Sequence, residues 1–152
     1  MKIVEFLKPE LILEEIQSKE KSEVLKEFSQ RIEVVEGLKA DKVFHVLLER
    51  EKLGSTGIGE GVAIPHGKLH ELSSLICCFG RSHEGIEFEA IDGNPVHLVF
   101  LLLAPENSAG THLKALAKIS KILKDPSFRN QLLKAKDKEE IFGIIKEEDD
   151  KL

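Results

Sequence analysis

The stretch Gly54-Ser55-Thr56-Gly57-Ile58-Gly59-Glu60-Gly61-Val62-Ala63-Ile64-Pro65-His66-Gly67-Lys68 contains five of the 11 glycines in this chain of 152 residues. It passes through a short apolar run to a histidine that stands between a proline and a glycine. Pro65 fixes its own φ angle and restricts Ile64, whereas Gly67 lets the chain bend or approach another group closely. The pattern therefore predicts that the imidazole of His66 is presented from a tight, preset backbone.

Two amphipathic helices are predicted on the N-terminal side of this stretch. The first starts at Ser18 or Ser22 and ends at Gly37, and its buried face consists of Val24, Leu25, Phe28 and Ile32. The second starts near Asp41 and buries Val43, Phe44, Leu47 and Leu48. This second helix carries Arg50 to its C-terminal end, so we expect the guanidinium to arrive just before the glycine-rich stretch.

Apolar runs without alternation predict strands that are covered on both faces. One run spans residues 75–79 and ends at Gly80, and a longer one spans residues 96–105 after the turn sequence Asp92-Gly93-Asn94-Pro95. Residues 11–16 fit either an amphipathic helix or a short strand, because periodicity alone does not separate the two.

Three helices are predicted to close the chain. In the first, one face is formed by Leu113, Leu116, Ala117, Ser120 and Leu123, with Ile119 and Ile122 beside it. The second begins at Asp125-Pro126, an N-cap followed by proline, and the third begins at Asp137 with Glu140 in capping-box spacing. Residues 147–151 are expected to fray. We expect one α/β domain over residues 1–152, with helices on both faces of the sheet.

Composition excludes several classes of protein. The net charge is −5 with both signs interleaved, which disfavours a nucleic-acid binder. No apolar run is long enough to span a membrane and the N-terminus lacks the pattern of a signal peptide, so we expect a cytoplasmic protein without direct membrane insertion. Cys77 and Cys78 are adjacent in an apolar run, which indicates buried thiols rather than a disulfide or a metal site.

Of the six histidines, two stand in unusual surroundings. His66 has its proline and glycine frame, and His112 follows Gly110-Thr111 at the start of a helix, where free backbone N–H groups favour an anion. A glycine-rich loop and Arg50 favour bound negative charge as well. The loop lacks the Gly-Lys-Ser/Thr ending of a nucleotide-binding loop, so we expect the anion to be carried by the protein itself.

Phosphoryl transfer to His66 suits these residues. A neutral imidazole is a competent nucleophile towards phosphorus near pH 7, and the P–N bond that forms is labile enough for onward transfer. Zinc is the rival interpretation, since His66 and His70 have i,i+4 spacing, but Gly67 argues against a helix there and no further ligand completes a set. We therefore expect neither a cofactor nor a metal ion.

The order of motifs resembles one protein family. Gly54-Ser55-Thr56-Gly57-Ile58-Gly59 running into Ala63-Ile64-Pro65-His66-Gly67-Lys68, then Phe88-Glu89-Ala90-Ile91-Asp92-Gly93, Leu102-Leu103-Ala104-Pro105-Glu106 and Thr111-His112-Leu113 resemble the enzyme IIA components of the fructose/mannitol class of the bacterial phosphotransferase system. The nitrogen-regulatory branch of that class is the most similar. The resemblance spans about residues 40–145 and implies a central mixed sheet flanked by helices.

The same resemblance implies roles for individual residues. His66 would be phosphorylated on Nε2, with His112 as the second active-site histidine and Arg50 beside the phosphoryl group. Ser55, Thr56 and Gly67 would form the surroundings of the phosphate. On physical grounds, the Nδ1–H of His66 should be held by an acceptor such as a backbone carbonyl of the loop.

Two functions remain open from the sequence, and both describe a phosphohistidine carrier more than a stand-alone enzyme. Phosphate from an HPr-like carrier protein could pass to a sugar-specific IIB domain, or it could control binding to regulatory targets. A free-standing chain without transport domains favours the regulatory function. An apolar rim, with Ile58, Val62 and Ile64 as candidates, would let such a target bind the unmodified state.

Overall fold

The structure is a computed structural model that describes all residues, 1–152. A short 3-10 turn (Ile3–Glu5) precedes strand β1 (Leu7–Leu13), helix α1 (Lys21–Glu36) and helix α2 (Ala40–Lys52). The glycine-rich stretch contains three short strands, β2 (Gly57–Gly59), β3 (Val62–Ala63) and β4 (His66–Leu69). Two long strands follow, β5 (Ile76–Ile86) and β6 (Val96–Pro105), and then helices α3 (Ala109–Ile122), α4 (Pro126–Lys134) and α5 (Lys138–Asp150). No helix is both long and apolar enough to cross a membrane.

The six strands form one mixed sheet in the order β1-β5-β6-β3-β2, and β4 also pairs with β6. Strands β3 and β4 lie one after the other along the same edge of β6, both parallel to it and in one continuous register. Pro65 separates them, because proline has no N–H to donate to a sheet ladder. This interruption places His66 at the first position of β4.

Helices cover both faces of the sheet, as the sequence predicts. Alternate residues of β6 enter two apolar clusters: Leu98, Phe100, Leu102 and Ala104 pack with helices α3, α4 and α5, whereas Val99, Leu101 and Leu103 pack with α1 and α2. A strand buried on both faces needs apolar residues on both, which explains the run of apolar residues from Leu98 to Ala104 in β6.

The ambiguous N-terminal segment forms strand β1 at the edge of the sheet. Pro9 lies within it, in a part where the register against β5 shifts, and an edge strand tolerates proline there. Helix α1 starts at Lys21, one residue before the predicted alternative at Ser22 and three after the one at Ser18. Ser18 lies outside the helix, and its hydroxyl donates to Glu27 within it.

Strand β5 does not end at Gly80, as predicted, but continues to Ile86. A Cβ at Gly80 would lie 2.7 Å from Cζ of Phe28 and 2.9 Å from Cδ1 of Ile16. The glycine therefore lets α1 pack closely against the middle of the strand, and it marks a close contact rather than a turn.

The buried face of α3 differs from the predicted one by about one position. His112, Ala115, Ile119 and Ile122 are buried, while Leu113 and Ala117 are exposed. The prediction grouped Leu113 with the apolar residues of that face. In the structure His112 is buried with its ring beside that of His66, and Leu113 is exposed.

The C-terminal tail is helical to Asp150 instead of frayed. Asp149 is fully buried and pairs with Lys118 of α3 at 2.6 Å. The N–H of Val4 donates to the same carboxylate at 3.2 Å. These long-range bonds hold the last turn of α5, and a tail made only of charged residues gave no local sign of them.

Candidate phosphoryl-transfer site

His66, Arg50 and His112 line a single open cleft of about 580 Å³. Helix α2 supplies Arg50, strand β4 supplies His66, and the first turns of α3 supply His112. The other lining residues are Val46, Glu49, Leu53, Gly67, Lys68, Leu113 and Leu116. Residues that lie 62 positions apart in the chain thus meet because β4 and the start of α3 adjoin the same end of β6.

The two ring nitrogens of His66 have different partners. Nδ1 lies 2.9 Å from the carbonyl oxygen of Ile64, which can only accept a hydrogen bond, so Nδ1 carries the proton. Nε2 then carries the lone pair of the neutral imidazole. The expected backbone acceptor for Nδ1–H is confirmed.

Arg50 contacts Nε2 of His66. Its Nε–H donates to Nε2 of His66 at 3.3 Å, and its Nη1–H donates to the carbonyl oxygen of Gly54 at 2.9 Å. The guanidinium is therefore held at the C-terminal end of α2 by the loop that follows the helix. A fixed cation with several N–H donors beside a nucleophile suits an incoming phosphoryl group.

Burial favours the neutral form of His66. Removal from water lowers the pKa of His66 below its ordinary value of 6.5, and the nearby Arg50 charge lowers it further, against the opposing effect of the Ile64 carbonyl. The neutral imidazole is the nucleophilic form of the side chain.

His112 faces His66 edge to face, with the ring centroids 5.4 Å apart. It is 6% exposed, and its Nδ1 is buried without a hydrogen-bond partner. Burial lowers the pKa of His112, and the neighbouring His66 and Lys68 act in the same direction. An unpaired buried Nδ1 favours the tautomer with the proton on Nε2, which makes neutral His112 a hydrogen-bond donor.

Gly67 allows α2 to approach the strand that carries His66. A Cβ at position 67 would lie 2.3 Å from Cγ1 of Val46, far inside van der Waals contact. Of the two uses that the sequence suggested for Gly67, close approach is the one that the structure shows. The contact brings the C-terminal half of α2, and with it Arg50, next to β4.

Ser55 and Thr56, the two hydroxyl residues expected around the phosphate, do not line the cleft. Ser55 donates to the carbonyl oxygen of Phe88 and accepts the N–H of Gly57. Thr56 is buried, and both its N–H and its hydroxyl donate to the carboxylate of Glu51. Both side chains therefore shape the loop from behind the site.

The expected apolar rim consists of other residues. Val62 and Ile64 are buried in the core, and Ile58 lines a separate cleft with Arg129. The exposed apolar side chains at the His66 cleft are Leu53, 83% exposed, and Leu113, 65% exposed. Sequence reasoning missed both, since it gave Leu53 no role and placed Leu113 on the apolar face of α3.

Lys68 is a further cleft residue that sequence reasoning left without a role. It stands two positions after His66 on β4, and alternate residues of a strand share a face. His70 lies just beyond β4 with an exposed side chain 3.5 Å from Glu106. The structure brings together no group of three or more His, Cys, Asp or Glu side chains that could hold a metal ion.

Comparison with known proteins agrees with this geometry. A family model described as the phosphoenolpyruvate-dependent sugar phosphotransferase system, EIIA 2, matches residues 5–148. The chain is 43% identical over 145 residues to a nitrogen regulatory protein of Bradyrhizobium diazoefficiens, with 95% of each chain covered. It is 40% identical over 150 residues to the fructose-specific EIIABC component of Bacillus subtilis, covering 98% of this chain and 24% of that protein.

Solved structures show the same relationship. The nitrogen regulatory protein IIA-Ntr of Neisseria meningitidis has a TM-score of 0.89 at 38% identity, with 94% of this chain and 98% of that chain covered. The fold is shared with enzyme IIA of the Escherichia coli mannitol system, solved in complex with its phosphorylated enzyme IIB, at a TM-score of 0.75, 22% identity and coverage of 91% and 97%. By its sequence and its fold, this chain belongs to the EIIA 2 family of the phosphoenolpyruvate-dependent sugar phosphotransferase system.

Proposed function

We propose that Nε2 of His66 accepts a phosphoryl group from an HPr-like carrier protein of the cytoplasm, and that the protein acts mainly as a regulator through its phosphorylation state. The observation that carries this proposal is the arrangement around one imidazole. Ile64 holds the proton on Nδ1, and Arg50 stands at the free lone pair of Nε2 in an open cleft.

The transfer step follows from that arrangement. The P–N bond of the carrier's phosphohistidine breaks as a bond forms between phosphorus and Nε2, and the Nδ1 proton of His66 stays where it is. The Nε2 lone pair cannot bond to phosphorus and also accept the Arg50 N–H. Arg50 therefore turns to the phosphoryl oxygens, where it and the N–H of His112 stabilise the charge during in-line transfer.

Phosphorylation changes the surface that a partner meets. The phosphoryl group adds nearly two negative charges between Leu53 and Leu113, the exposed apolar side chains of the cleft. A partner that covers these leucines in the unmodified state would have to bury that charge in the modified state. A shift of about 2 kcal/mol, or about thirty-fold in affinity, is enough to switch occupancy.

Similarity over whole chains supports the regulatory function. The Bradyrhizobium and Neisseria proteins, which match this chain over nearly their full length, are both nitrogen regulatory proteins. The second candidate is transfer to a IIB domain during sugar uptake. It is supported by the fructose-specific Bacillus protein and by the Escherichia coli complex of a mannitol enzyme IIA with its IIB.

Phosphorylation of His66 is tested by incubation with a phosphorylated HPr-type carrier, followed by intact-mass analysis. We expect one acid-labile, alkali-stable adduct on the wild-type protein and none on His66→Ala. His70→Ala, which removes an exposed histidine outside the cleft, is the matched control and should be labelled like the wild type. Labelling of His66→Ala at the wild-type level would refute the assignment.

Regulation and sugar uptake are separated by a second experiment. Unmodified, phosphorylated and His66→Ala proteins are used for affinity capture from native cytosol, and transfer to the organism's own IIB domains is measured in parallel. The regulatory function predicts capture that depends on the phosphorylation state. Capture of the same proteins by all three forms, together with rapid transfer to one IIB domain, would favour sugar uptake.

A further inference from the structure

A buried carboxylate lies behind the site. Glu51, the residue after Arg50, is 6% exposed at the C-terminal end of α2. Its Oε1 accepts the N–H of Thr56 at 3.0 Å, and its Oε2 accepts the hydroxyl of Thr56. The ammonium of Lys21, at the start of α1, lies 3.2 Å from Oε1. A buried carboxylate with these partners restrains the side chains and the backbone that carry them.

From Thr56, a chain of hydrogen bonds leads to His66. The N–H of Ile64 donates to the carbonyl oxygen of Thr56 at 3.0 Å, and the carbonyl oxygen of Ile64 accepts Nδ1–H of His66 at 2.9 Å. The N–H and the carbonyl of one residue belong to different peptide groups, so these bonds act by fixing the position of the backbone at Thr56 and Ile64. Glu51 is thus connected to the nitrogen that holds the His66 proton.

Glu51 is also linked to Nε2 of His66, through Arg50. Arg50 precedes Glu51 in the chain, and it donates both to Nε2 of His66 and to the carbonyl oxygen of Gly54. The bonds between Glu51 and Thr56 close the loop that contains Gly54. The same carboxylate therefore holds the helix end that carries Arg50 and the loop that orients it.

We propose that Glu51 is a positioning residue for phosphoryl transfer, which fixes both Nδ1 and Nε2 of His66 through Thr56 and through Arg50. The inference rests on the proposed function of His66. Glu51 is buried and does not line the cleft, so it contacts neither the carrier nor the phosphoryl group. Its loss should therefore lower the rate constant of transfer and leave the apparent KM for the carrier unchanged.

Lys21 determines how the variants must be chosen. Its side chain is 11% exposed, lies 5.2 Å from the centre of the Phe88 ring and also contacts Glu89. Removing the charge of Glu51 leaves this ammonium with only an exposed partner, which costs stability in itself. Glu51→Gln therefore needs a companion, Thr56→Val, that removes the hydroxyl donor and keeps the ion pair.

The experiment measures transfer kinetics from the phosphorylated carrier together with ¹⁵N NMR spectra of the imidazoles. Glu51→Gln should slow transfer by about 10- to 100-fold and Thr56→Val by about tenfold, both at unchanged KM. In both variants the His66 spectrum should move from the Nδ1–H tautomer towards a mixture. Thr56→Ser, which keeps the hydroxyl, should restore both readouts, and the exposed Glu147→Gln should match the wild type.

The outcomes are distinct. Failure of the wild-type protein to accept phosphate would overturn the proposed function itself. Normal phosphorylation of the wild type, with wild-type rate and tautomer in folded Thr56→Val and Glu51→Gln, would overturn only the role of Glu51. If Glu51→Gln does not fold, the pair Thr56→Val and Thr56→Ser decides in the same way. A rise in KM without a change in the rate constant would also contradict a positioning role.

Discussion

The two nitrogens of His66 make hydrogen bonds with different groups. The Ile64 carbonyl accepts Nδ1–H, and Arg50 donates to Nε2. In the proposed transfer, phosphorus takes the place of the Arg50 donor at Nε2, and the guanidinium needs to turn only as far as the phosphoryl oxygens beside it.

At this scale, Arg50→Ala and His112→Ala should each slow phosphoryl transfer by about ten- to a thousand-fold, or about 1.4 to 4 kcal/mol. Both groups are expected to stabilise charge on the equatorial oxygens. Stopped-flow transfer kinetics measure the rates, and thermal melts check that the fold is intact. Wild-type rates in folded variants would show that these residues do not take part in transfer.

Gly67 makes a prediction about packing. Gly67→Ala should lower the free energy of unfolding by about 1–3 kcal/mol, because its Cβ would overlap Cγ1 of Val46. Gly110→Ala is the control, since no atom lies within 4 Å of the added methyl group and alanine favours a helix. Chemical denaturation of both variants gives the comparison. Val46→Ala combined with Gly67→Ala should recover part of the loss, and equal losses with and without it would contradict the steric explanation.

At the scale of elements, strand β5 is tied to helix α4 by a charged cap. His83 contacts only acceptors, with Nδ1 2.6 Å from Glu15 and Nε2 2.7 Å from the carbonyl oxygen of Leu133. The Leu133 carbonyl and the Glu15 carboxylate raise the pKa of His83. A cation at the C-terminal end of a helix is also favourable for the helix dipole.

The pH dependence of stability should report this cap. A group whose pKa is raised on folding stabilises the fold below its unfolded pKa, here 6.5, and this contribution is lost as the pH rises through the folded pKa. His83→Gln should therefore destabilise the protein at a pH about one unit below 6.5 and have less effect at a pH about two units above it.

Because the side chain of His83 is about half exposed, its charge should contribute less than about 1 kcal/mol to the free energy of unfolding. His66 and His112, whose pKa values are lowered, act in the opposite direction, so the comparison must be between wild type and His83→Gln at each pH. Denaturation curves at the two pH values make the measurement. A variant effect that is equal at both values would show that the charge of His83 does not contribute.

For the whole molecule, Asp149 connects the two ends of the chain. It pairs with Lys118 at 2.6 Å and accepts the N–H of Val4, so α5, α3 and the N-terminal turn meet at one buried carboxylate. Breaking one side of a buried ion pair leaves the other charge uncompensated. This contact, with the sheet shared by both apolar clusters, supports our proposal that residues 1–152 form one domain.

Asp149→Asn should therefore lower the free energy of unfolding by about 3 kcal/mol, and variant and wild type should each unfold in one transition. Urea denaturation followed by two spectroscopic probes measures both properties. Asp150→Asn, a neighbouring exposed residue, is the control and should change stability little. Two separate transitions would contradict the single domain, and an unchanged midpoint would show that Asp149 does not hold the termini.

Local chemistry accounts for what the sequence predicted correctly. The cap of α4 at Asp125, the glycine that ends α1 and the apolar run of β6 are each determined within a few residues. The same holds for the frame around His66, because proline and glycine restrict their own backbone. Such features are legible without tertiary contacts.

The remaining features depend on residues that meet only in the folded chain. The register of β4 against β6 brings His66 to Arg50 and His112. The sequence indicated that these regions favour bound negative charge, but only the resemblance to a family placed the three residues in one site. No periodic signal in the sequence indicates which face α3 buries, that Asp149 is buried, or that Thr56 donates to Glu51. Whether a histidine or a carboxylate is buried depends on its neighbours in the folded chain, such as His66 beside His112 and Lys118 beside Asp149, and those neighbours are decided by tertiary structure.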